Sequence, residues 1–342
     1  MTDTETAGLV TVVVPARNEE RYIRRALEEI RLQSYAALEI LVVDGGSDDR
    51  TREIVAEQAT ADPRIRLIDN PRKVIPAGQN LALESARGAW LVTIGAHSTV
   101  NRDYIAIAVG HLRSGGWGAV GGRVCTYGET RFGNAVTCAM GSWAGVGGAR
   151  YDYSEQAQAI EHVPFPAYPT ELIRRLGGWN ERLIANSDVE LNWRVGQTGR
   201  KLLYEPRMEI RYRGSQTPRE LARQYRRYGR GKGTMAVIDP RSPRPRHFAP
   251  VALVLWVTLA LTTGRRRPRA AALKLLPYTV GSIGAGMRAG RRLPWRERLL
   301  VPYALWLMHI CYGFGTLEGL ARGLLTGAWA RRLRKPASTV PR

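Results

Sequence analysis

Cysteine is scarce in this 342-residue chain, and its scarcity excludes two classes of protein. The three cysteines, Cys125, Cys138 and Cys311, are odd in number and lack metal-ligand spacing, so a disulfide scaffold and a structural zinc site are both excluded. The chain also lacks the glycine fingerprint of dinucleotide-binding proteins and the lysine of a phosphate-binding loop. Nicotinamide chemistry and ATP hydrolysis therefore have no motif to support them.

Acidic residues are almost absent from the last 102 residues. Residues 241–342 contain 19 Lys and Arg but only Glu297 and Glu318 as acids, which accounts for 17 of the 21 net positive charges. The first 240 residues carry 32 basic and 28 acidic side chains. A nucleic-acid footprint would be expected on the folded domain, so we expect no nucleic-acid partner. The N-terminus has no basic region before its short apolar stretch, and we expect no secretory signal.

The basic region contains three apolar segments, at residues 247–264, 275–287 and 299–317. Two of them approach the roughly 20 residues that cross a bilayer. Clusters of basic residues flank them: Arg265, Arg266, Arg267 and Arg269, then Arg288, Arg291, Arg292, Arg296 and Arg298, then Arg331, Arg332, Arg334 and Lys335. This pattern predicts a membrane-associated region at 241–342 that contacts anionic lipids on the cytoplasmic leaflet. The alternative, buried helices of a soluble domain, lacks acids to pair with so many arginines.

Residues 1–240 alternate short β-branched runs with amphipathic patterns. The predicted strands are 9–14, 39–43, 64–68 and 90–94, and the predicted helices are 19–33, 47–59 and 76–87. Strands that are apolar along nearly their whole length and alternate with helices are typical of a mostly parallel sheet covered on both faces. The sequence therefore predicts an α/β domain at 1–240.

Ligands of such sheets bind beyond the carboxyl ends of the strands. Pro15 to Glu19 follows the first strand, Asp44-Gly45-Gly46 the second, and Gly95-Ala96-His97 the fourth. Two polar loops at adjacent strand ends favour a binding crevice. Asp44 could instead only accept backbone N–H bonds in a tight turn.

Four ordered blocks carry a specific resemblance: VTVVVPARNEERYI, LEILVVDGGSDDRT, NPRKVIPAGQNLALESARGAW and GGWNERLIANSDVELNWRV. Together they resemble family 2 glycosyltransferases, which have the GT-A fold, and within them the membrane-associated exopolysaccharide enzymes of the succinoglycan type. The resemblance extends over residues 10–230. The GT-A fold it implies is a Rossmann-like, mostly parallel sheet with helices on both faces, here followed by apolar membrane helices.

The resemblance implies transfer of a sugar from a nucleotide-diphosphate donor, usually a UDP-sugar, to a lipid-linked or growing polysaccharide acceptor with inversion. Pro15, Arg17, Glu19 and Asp44 inherit the role of holding the nucleoside. A carboxylate suits uracil because it accepts the N–H of the base. Lys73, after the third strand, is a candidate contact of the diphosphate, with an ordinary exposed loop lysine as the equal alternative.

The family's acid–base residue lies in an ED-x-x-L pattern that opens a helix. Here Asp188 matches the Asp and Ser187 replaces the Glu, so Asp188 is the candidate base that takes the proton of the acceptor hydroxyl. Glu190 adds a second candidate carboxylate near the acceptor. The alternative for Asp188 is a helix N-cap, since Asp is a good capping residue.

A further element, Gln224-x-x-Arg227-Tyr228, resembles the Q-x-x-R-W element of membrane-embedded polysaccharide synthases. In that group the aromatic and the arginine line the acceptor or the diphosphate. A basic helix exposed to solvent is the competing interpretation of Gln224, Arg227 and Tyr228.

One motif departs from the family pattern. Members carry Asp-x-Asp or Asp-Ala-His after the fourth strand to bind the ribose and a divalent cation, whereas Gly95 replaces the first carboxylate here. His97 remains a candidate metal ligand, and imidazole suits Mn²⁺ better than Mg²⁺. Two alternatives stay open: a non-catalytic glycosyltransferase-like protein that binds nucleotide or partners, and a basic adaptor for membranes or nucleic acid.

Overall fold

The chain forms two compact units in a computed structural model that describes residues 8–146 and 154–325. The first unit comprises Met1–Tyr127 and Ala149–Arg213, and the second comprises Gly128–Gly148 and Gly214–Arg342. The boundary predicted at residue 240 was based on charge and stays a prediction, whereas the chain leaves the first unit at Arg213. The basic cluster at residues 331–335 lies outside the described residues.

The first half of the first unit follows the predicted alternation. Its elements are β1 (Val10–Ala16), α1 (Ile23–Arg31), β2 (Leu38–Asp44), α2 (Thr51–Ala61), β3 (Ile65–Asp69), α3 (Ile75–Ser85) and β4 (Trp90–Thr93). Helices α1 and α2 each begin four residues later than predicted, because Glu19 and Ser47 belong to turns at the strand ends. Strands β1 to β4 pair in parallel in the order β3-β2-β1-β4.

The second half of the unit extends this sheet with antiparallel pairs. Its elements are β5 (Ser98–Val100), α4 (Tyr104–Arg113), β6 (Trp117–Tyr127), β7 (Gln158–Ile160), β8 (Ala167–Pro169), α7 (Thr170–Arg175), α8 (Ser187–Gln197) and β9 (Lys201–Arg213). The sheet continues β4-β8-β6-β9-β5, with β7 beside β9. Strand β8 is antiparallel to both β4 and β6, while β6 and β9 are parallel. The predicted mostly parallel α/β architecture is confirmed.

Two apolar layers hold the sheet in place. One face packs Val12, Val14 and Ile40 against residues of α1 and α4, all fully buried. The opposite face packs Val13 and Leu41 against α3, α7 and α8. Alternate residues of β1 therefore point into two different cores, as expected for a central strand covered on both sides.

The second unit is helical. It contains α5 (Arg131–Met140), α6 (Trp143–Val146), α9 (Pro218–Ile238), a short 3₁₀ helix at Pro245–Phe248, α10 (Ala249–Gly264), α11 (Pro268–Ala289), α12 (Trp295–Arg298) and α13 (Leu300–Leu325). Two stretches of the described chain are long and apolar enough to cross a membrane, Pro245–Gly264 and Trp295–Leu325. They contain the first and third predicted apolar segments. The middle segment forms part of α11, which contains Pro277 in its interior and does not meet the same criterion.

Helices α9 and α13 approach each other through glycines. A Cβ atom at Gly229 would lie 2.1 Å from the carbonyl oxygen of Tyr312, and one at Gly319 would lie 2.1 Å from that of Arg230. Only glycine allows backbones to come this close, as in the small-residue contacts of membrane helices. Glu318 on α13 accepts hydrogen bonds from Arg226 and Arg230 at the same contact.

A buried carboxylate joins α4 to the sheet of the first unit. Glu205 on β9 is almost fully buried and accepts hydrogen bonds from the Arg207 guanidinium at 3.0 and 2.9 Å, while the ring of His111 lies 2.8 Å away. The bonds from Arg207 outweigh the cost of burial and lower the pKa of Glu205 to about 2. The ionised form is thus favoured in the folded state.

We expect Glu205→Gln to lower the free energy of unfolding by about 2 kcal/mol at pH 7, because the buried carboxylate of Glu205 loses its charge and its bonds to the exposed Arg207 guanidinium become weaker. The contribution of Glu205 is complete above its unfolded pKa, near 4.3, and declines as pH falls towards 2. Denaturant titration of both proteins from pH 7 to pH 3 should show the difference narrowing with acid. The matched control is Glu209→Gln on the same strand, whose side chain is exposed and whose loss should cost less than about 0.5 kcal/mol. An equal loss in both variants would contradict the assignment.

Candidate active site

The loops after β1 and β2 are tied together at the carboxyl edge of the sheet. The backbone N–H of Asn18 donates to Ser47 Oγ at 2.9 Å, and the backbone N–H of Asp48 donates to Asn18 Oδ1 at 3.0 Å. The N–H of Glu19 donates to Thr51 Oγ1 at 2.8 Å. Hydrogen bonds therefore join the loops after β1 and β2, which were predicted to form a crevice, into one surface. This surface begins at Pro15 and Arg17, at the end of β1.

Asp44 lies under this surface with a fully buried side chain. Its carboxylate accepts hydrogen bonds from the backbone N–H of Gly46 at 3.1 Å, from Ser47 Oγ at 2.5 Å and from Arg52 Nη1 at 2.9 Å. Burial alone would raise the pKa of Asp44, but the bonds from Ser47 and Arg52 outweigh it and hold that pKa below its usual value. The structure thus contains the turn that was the alternative interpretation of Asp44. Contact with the nucleoside stays a prediction.

Lys73 reaches the same turn from the loop after β3. The Gly46 backbone is left-handed (φ +73°), and a Cβ there would lie 2.9 Å from Lys73 Cε. The side chain of Lys73 therefore lies directly over Gly46, while the residue as a whole is exposed. This position brings its ammonium group to the loop surface, and its contact with a diphosphate stays a prediction.

Strained backbone is concentrated at this edge of the first unit. In the described ranges, the non-glycine residues with positive φ are Asn18 (57°), Lys73 (57°), Phe165 (45°) and Asn186 (62°). Asn18 and Lys73 lie in loops at the ends of parallel strands, and Asn186 immediately precedes α8. Such backbone costs about 1–3 kcal/mol per residue and tends to persist where function requires it.

His97 and Glu19 form a pair that the sequence did not reveal. Nδ1 of His97 lies 2.9 Å from Oε1 of Glu19, and the ring of Tyr212 lies 5.7 Å from the His97 ring. Gly95, two residues earlier, packs closely against Ser98. A Cβ at Gly95 would lie 3.0 Å from Ser98 Oγ, a buried hydroxyl without a hydrogen-bond partner in the described chain.

Asp188 lies in the first turn of α8 with its side chain about half exposed. The N-cap of α8 is Asn186, and no side-chain cap hydrogen bond forms there, so Asp188 is not the capping residue. Oδ2 of Asp188 lies 4.0 Å from Nε2 of His162. Glu190 is mostly buried and accepts two hydrogen bonds of 2.8 Å from Arg194. Its predicted contact with the acceptor stays a prediction.

In the second unit, Gln224, Arg227 and Tyr228 lie together on α9. Nε2 of Gln224 donates to the hydroxyl of Tyr228 at 3.0 Å, and the Arg227 guanidinium lies 5.9 Å from the centre of the Tyr228 ring. The Tyr225 ring packs edge-on against Tyr228 at 5.8 Å. The three predicted residues therefore form one cluster, and its role in binding stays a prediction.

Comparison of the sequence and the fold with known proteins indicates the family to which this domain is similar. The family described as "Glycosyl transferase family 2" matches residues 11–176. The succinoglycan biosynthesis protein ExoA of Rhizobium meliloti is 28% identical over 321 residues, which cover 91% of this chain and 94% of that protein. Residues 11–176 belong to glycosyltransferase family 2. The protein is an enzyme that transfers a sugar from a nucleotide-sugar donor.

Two further similarities agree with this family. The succinoglycan biosynthesis protein ExoO of Rhizobium meliloti is 40% identical over 95 residues, which cover 28% of this chain and 27% of that protein. A mannosyltransferase of Pyrobaculum calidifontis, solved with GDP-Man and Mn²⁺, superposes with a TM-score of 0.56 at 22% identity, over 87% of this chain and 85% of that one. The GT-A fold expected from the resemblance is confirmed.

Several site residues of this glycosyltransferase escaped the sequence analysis. Arg52 pairs with Asp44, and His162 faces Asp188. The ring of Tyr212 packs near His97, and the ring of Phe165 packs near Tyr212. None of them belongs to a motif with its partner, and their contacts cross 8 to 115 positions of the chain. Arg52 alone carried a local signal, since a basic residue in the first turn of α2 can reach back to the end of β2.

We expect Asp44→Ala to lower the free energy of unfolding by about 2 kcal/mol, because Arg52 and two backbone N–H groups lose a buried acceptor. The matched control is Asp48→Ala in the same loop, whose side chain is exposed and whose loss should change stability by less than about 0.5 kcal/mol. Both are measured by denaturant unfolding without nucleotide. Equal stability of Asp44→Ala and wild type, with loss of UDP binding alone, would show that Asp44 serves only the ligand.

Proposed function

We propose that the enzyme is an inverting glycosyltransferase that moves a sugar from a UDP-sugar to a lipid-linked or growing polysaccharide acceptor, as part of exopolysaccharide synthesis. The observation that carries the proposal is Asp188, a half-exposed carboxylate in the first turn of α8, within the unit that holds the polar loops. The similarity to two succinoglycan biosynthesis proteins supports the class of product.

A single carboxylate base is sufficient for the chemistry. The acceptor hydroxyl oxygen attacks the anomeric carbon, and Asp188 takes its proton as the new bond forms. The bond from the anomeric carbon to the diphosphate oxygen breaks on the opposite face, so the configuration inverts. The half-exposed oxygens of Asp188 are accessible to an acceptor hydroxyl.

The donor is assigned to the joined loops after β1, β2 and β3. Arg17, Glu19 and the turn at Asp44 surround the nucleoside in this proposal, and Lys73 contacts the diphosphate. The position of Lys73 over Gly46 supports this role. Ligands of such sheets bind beyond the carboxyl ends of the strands, so the Lys73 ammonium group would lie close to the negatively charged diphosphate. Pro15 fixes the exit of β1, and Gly95 leaves room beside the ribose.

A divalent cation fits the pair formed by Glu19 and His97. An imidazole nitrogen and a carboxylate oxygen 2.9 Å apart are two ligands suited to Mn²⁺ rather than Mg²⁺. Across residues 8–146 and 154–325, no group of three His, Cys, Asp or Glu side chains could hold a metal, so oxygens of the diphosphate and water would supply the remaining ligands. When bound, such a cation offsets the charge that grows on the leaving diphosphate.

Association with the cytoplasmic face of a membrane is the second part of the proposal. Large apolar side chains are exposed along the helices of the second unit, including Leu255, Trp256, Leu276, Trp306 and Phe314. Arginines flank these helices, and anionic headgroups attract such clusters. Exposed apolar surface of this extent is typical of membrane or protein interfaces, and the two long apolar stretches favour a membrane.

We expect Asp188→Asn to lower kcat by about 10²- to 10⁴-fold, because the amide cannot accept the proton. Binding of UDP should be retained, since the substitution keeps the shape of the side chain. The measurement is transfer of labelled sugar from a panel of UDP-sugars by membranes that contain each variant, with UDP affinity by calorimetry. Asp103→Asn, at an exposed acid before α4, is the control and should be fully active. Equal transfer by Asp188→Asn and wild type would refute the base, and UDP binding without turnover by wild type would favour a non-catalytic protein.

For the cation, we expect EDTA to abolish transfer and Mn²⁺ to restore it at a lower concentration than Mg²⁺. His97→Ala should raise the Mn²⁺ concentration needed for half-maximal activity by about 10- to 100-fold, since one of two protein ligands is lost. His111→Ala removes a histidine that pairs with Glu205 instead and should leave the Mn²⁺ requirement unchanged. Transfer that is insensitive to EDTA would remove His97 and Glu19 from the list of ligands.

A further inference from the structure

A histidine that the proposed chemistry does not use lies beside the proposed base. Nε2 of His162 is 4.0 Å from Oδ2 of Asp188. The His162 side chain is only 20% exposed and the Asp188 side chain 46% exposed. His162 precedes β8, whereas Asp188 opens α8, so their contact joins two separate elements of the first unit.

The orientation of the His162 ring is fixed by a buried amide. Asn192 on α8 has no exposed surface. Its Oδ1 accepts a hydrogen bond from the Tyr168 hydroxyl at 2.7 Å, and its Nδ2 donates to the carbonyl oxygen of Val163 at 2.8 Å. Because a carbonyl oxygen can only accept, the contact with Val163 determines which end of the amide is nitrogen.

The same amide also determines the tautomer of His162. The second hydrogen of Asn192 Nδ2 points at Nδ1 of His162, 2.7 Å away. Nδ1 is therefore the acceptor, and in the neutral ring the proton lies on Nε2. That N–H is on the side of the ring that faces the Asp188 carboxylate.

We infer that His162 is a positioning residue for Asp188: its Nε2–H, set by Asn192 and 4.0 Å from Oδ2 in this structure, closes to a hydrogen bond when the half-exposed carboxylate turns to receive the acceptor proton. The inference rests on the proposed role of Asp188 as the base. A base that is misplaced by about 1 Å can lose about 100-fold in rate, and Asp188 is exposed enough to sample other rotamers. A hydrogen bond from His162, formed when the 4.0 Å separation closes, would restrict that freedom.

Glu190 and Arg194 do not supply this restraint. The Arg194 guanidinium bonds to Glu190 and to the carbonyl oxygens of Leu176 and Gly178. Its donors are thus directed at Glu190 and at the segment after α7. Within residues 8–146 and 154–325, His162 is the basic side chain that lies within ion-pair distance of Asp188, at 4.0 Å.

The test compares His162→Phe with His162→Gln. Phenylalanine removes the donor but keeps a planar ring, and we expect kcat to fall about 10- to 100-fold with little change in KM for the UDP-sugar. Glutamine can place an amide N–H near the position of Nε2, so it should recover most of the activity. Glu161→Gln, at the exposed neighbour, is the matched control and should behave as wild type.

A double variant separates positioning from a structural effect. If His162 acts through Asp188, then His162→Phe should cause no further loss of kcat in the Asp188→Asn background, because the group that it orients is already gone. UDP affinity, measured by calorimetry, should be unchanged in every variant and shows that the fold is intact. A further 10-fold loss in the double variant, or weaker UDP binding by His162→Phe, would indicate a structural role and overturn the inference.

The outcomes also distinguish this inference from the proposed function. Full activity of Asp188→Asn would refute the base itself. Inactive Asp188→Asn together with fully active His162→Phe would leave the base in place and refute the positioning role alone. Loss in His162→Phe without recovery in His162→Gln would show that the ring, rather than its N–H, is required, and would overturn the inference as well.

Discussion

The site depends on the antiparallel pairing of β8 with β4. Ala167 lies opposite Val92 and Pro169 opposite Trp90, so the residues just before β8 emerge at the carboxyl end of β4. That is the edge where the loops after β1, β2 and β3 also end. The pairing therefore brings His162 and Phe165 to the predicted ligand edge, and the buried Asn192 then joins α8 to the same region. Without β8 in this register, the candidate base would have no fixed relation to the polar loops.

The sequence could predict those parts of the site that depend on local patterns of apolar and polar residues. Strands β1, β2 and β4 are largely apolar and alternate with helices, so the mostly parallel sheet and the edge where Glu19, Asp44 and His97 lie follow from general rules. The four ordered blocks added the fold and the candidate base. Asn80 in the third block bonds the backbone of Trp179 in the fourth, so these two blocks are in contact in the folded protein.

The remaining contacts could not be predicted, because they connect residues that share no pattern. The pairing of Glu19 with His97 spans 78 positions, and that of Asn192 with His162 spans 30. Strand β8 has only three residues and β5 only three, too few for periodicity to appear. Burial of Asp44 was less hidden, since its partner Arg52 lies only eight residues further along the chain.

At Gly95, where members of the family carry a carboxylate, one side chain is missing and the backbone of the loop is one that an aspartate could adopt. Gly95 is not among the residues with left-handed backbone, so an aspartate could adopt its conformation. A Cβ there would lie 3.0 Å from Ser98 Oγ and 3.9 Å from the Phe165 ring, which requires a shift of only a few tenths of an ångström. In the described residues, Ser98 Oγ is buried without a hydrogen-bond partner and lies close to where a side chain at residue 95 would begin. The loop could therefore carry a carboxylate after that small shift, and in the proposed function Glu19, His97 and the phosphate oxygens of the donor take the place of the missing ligand.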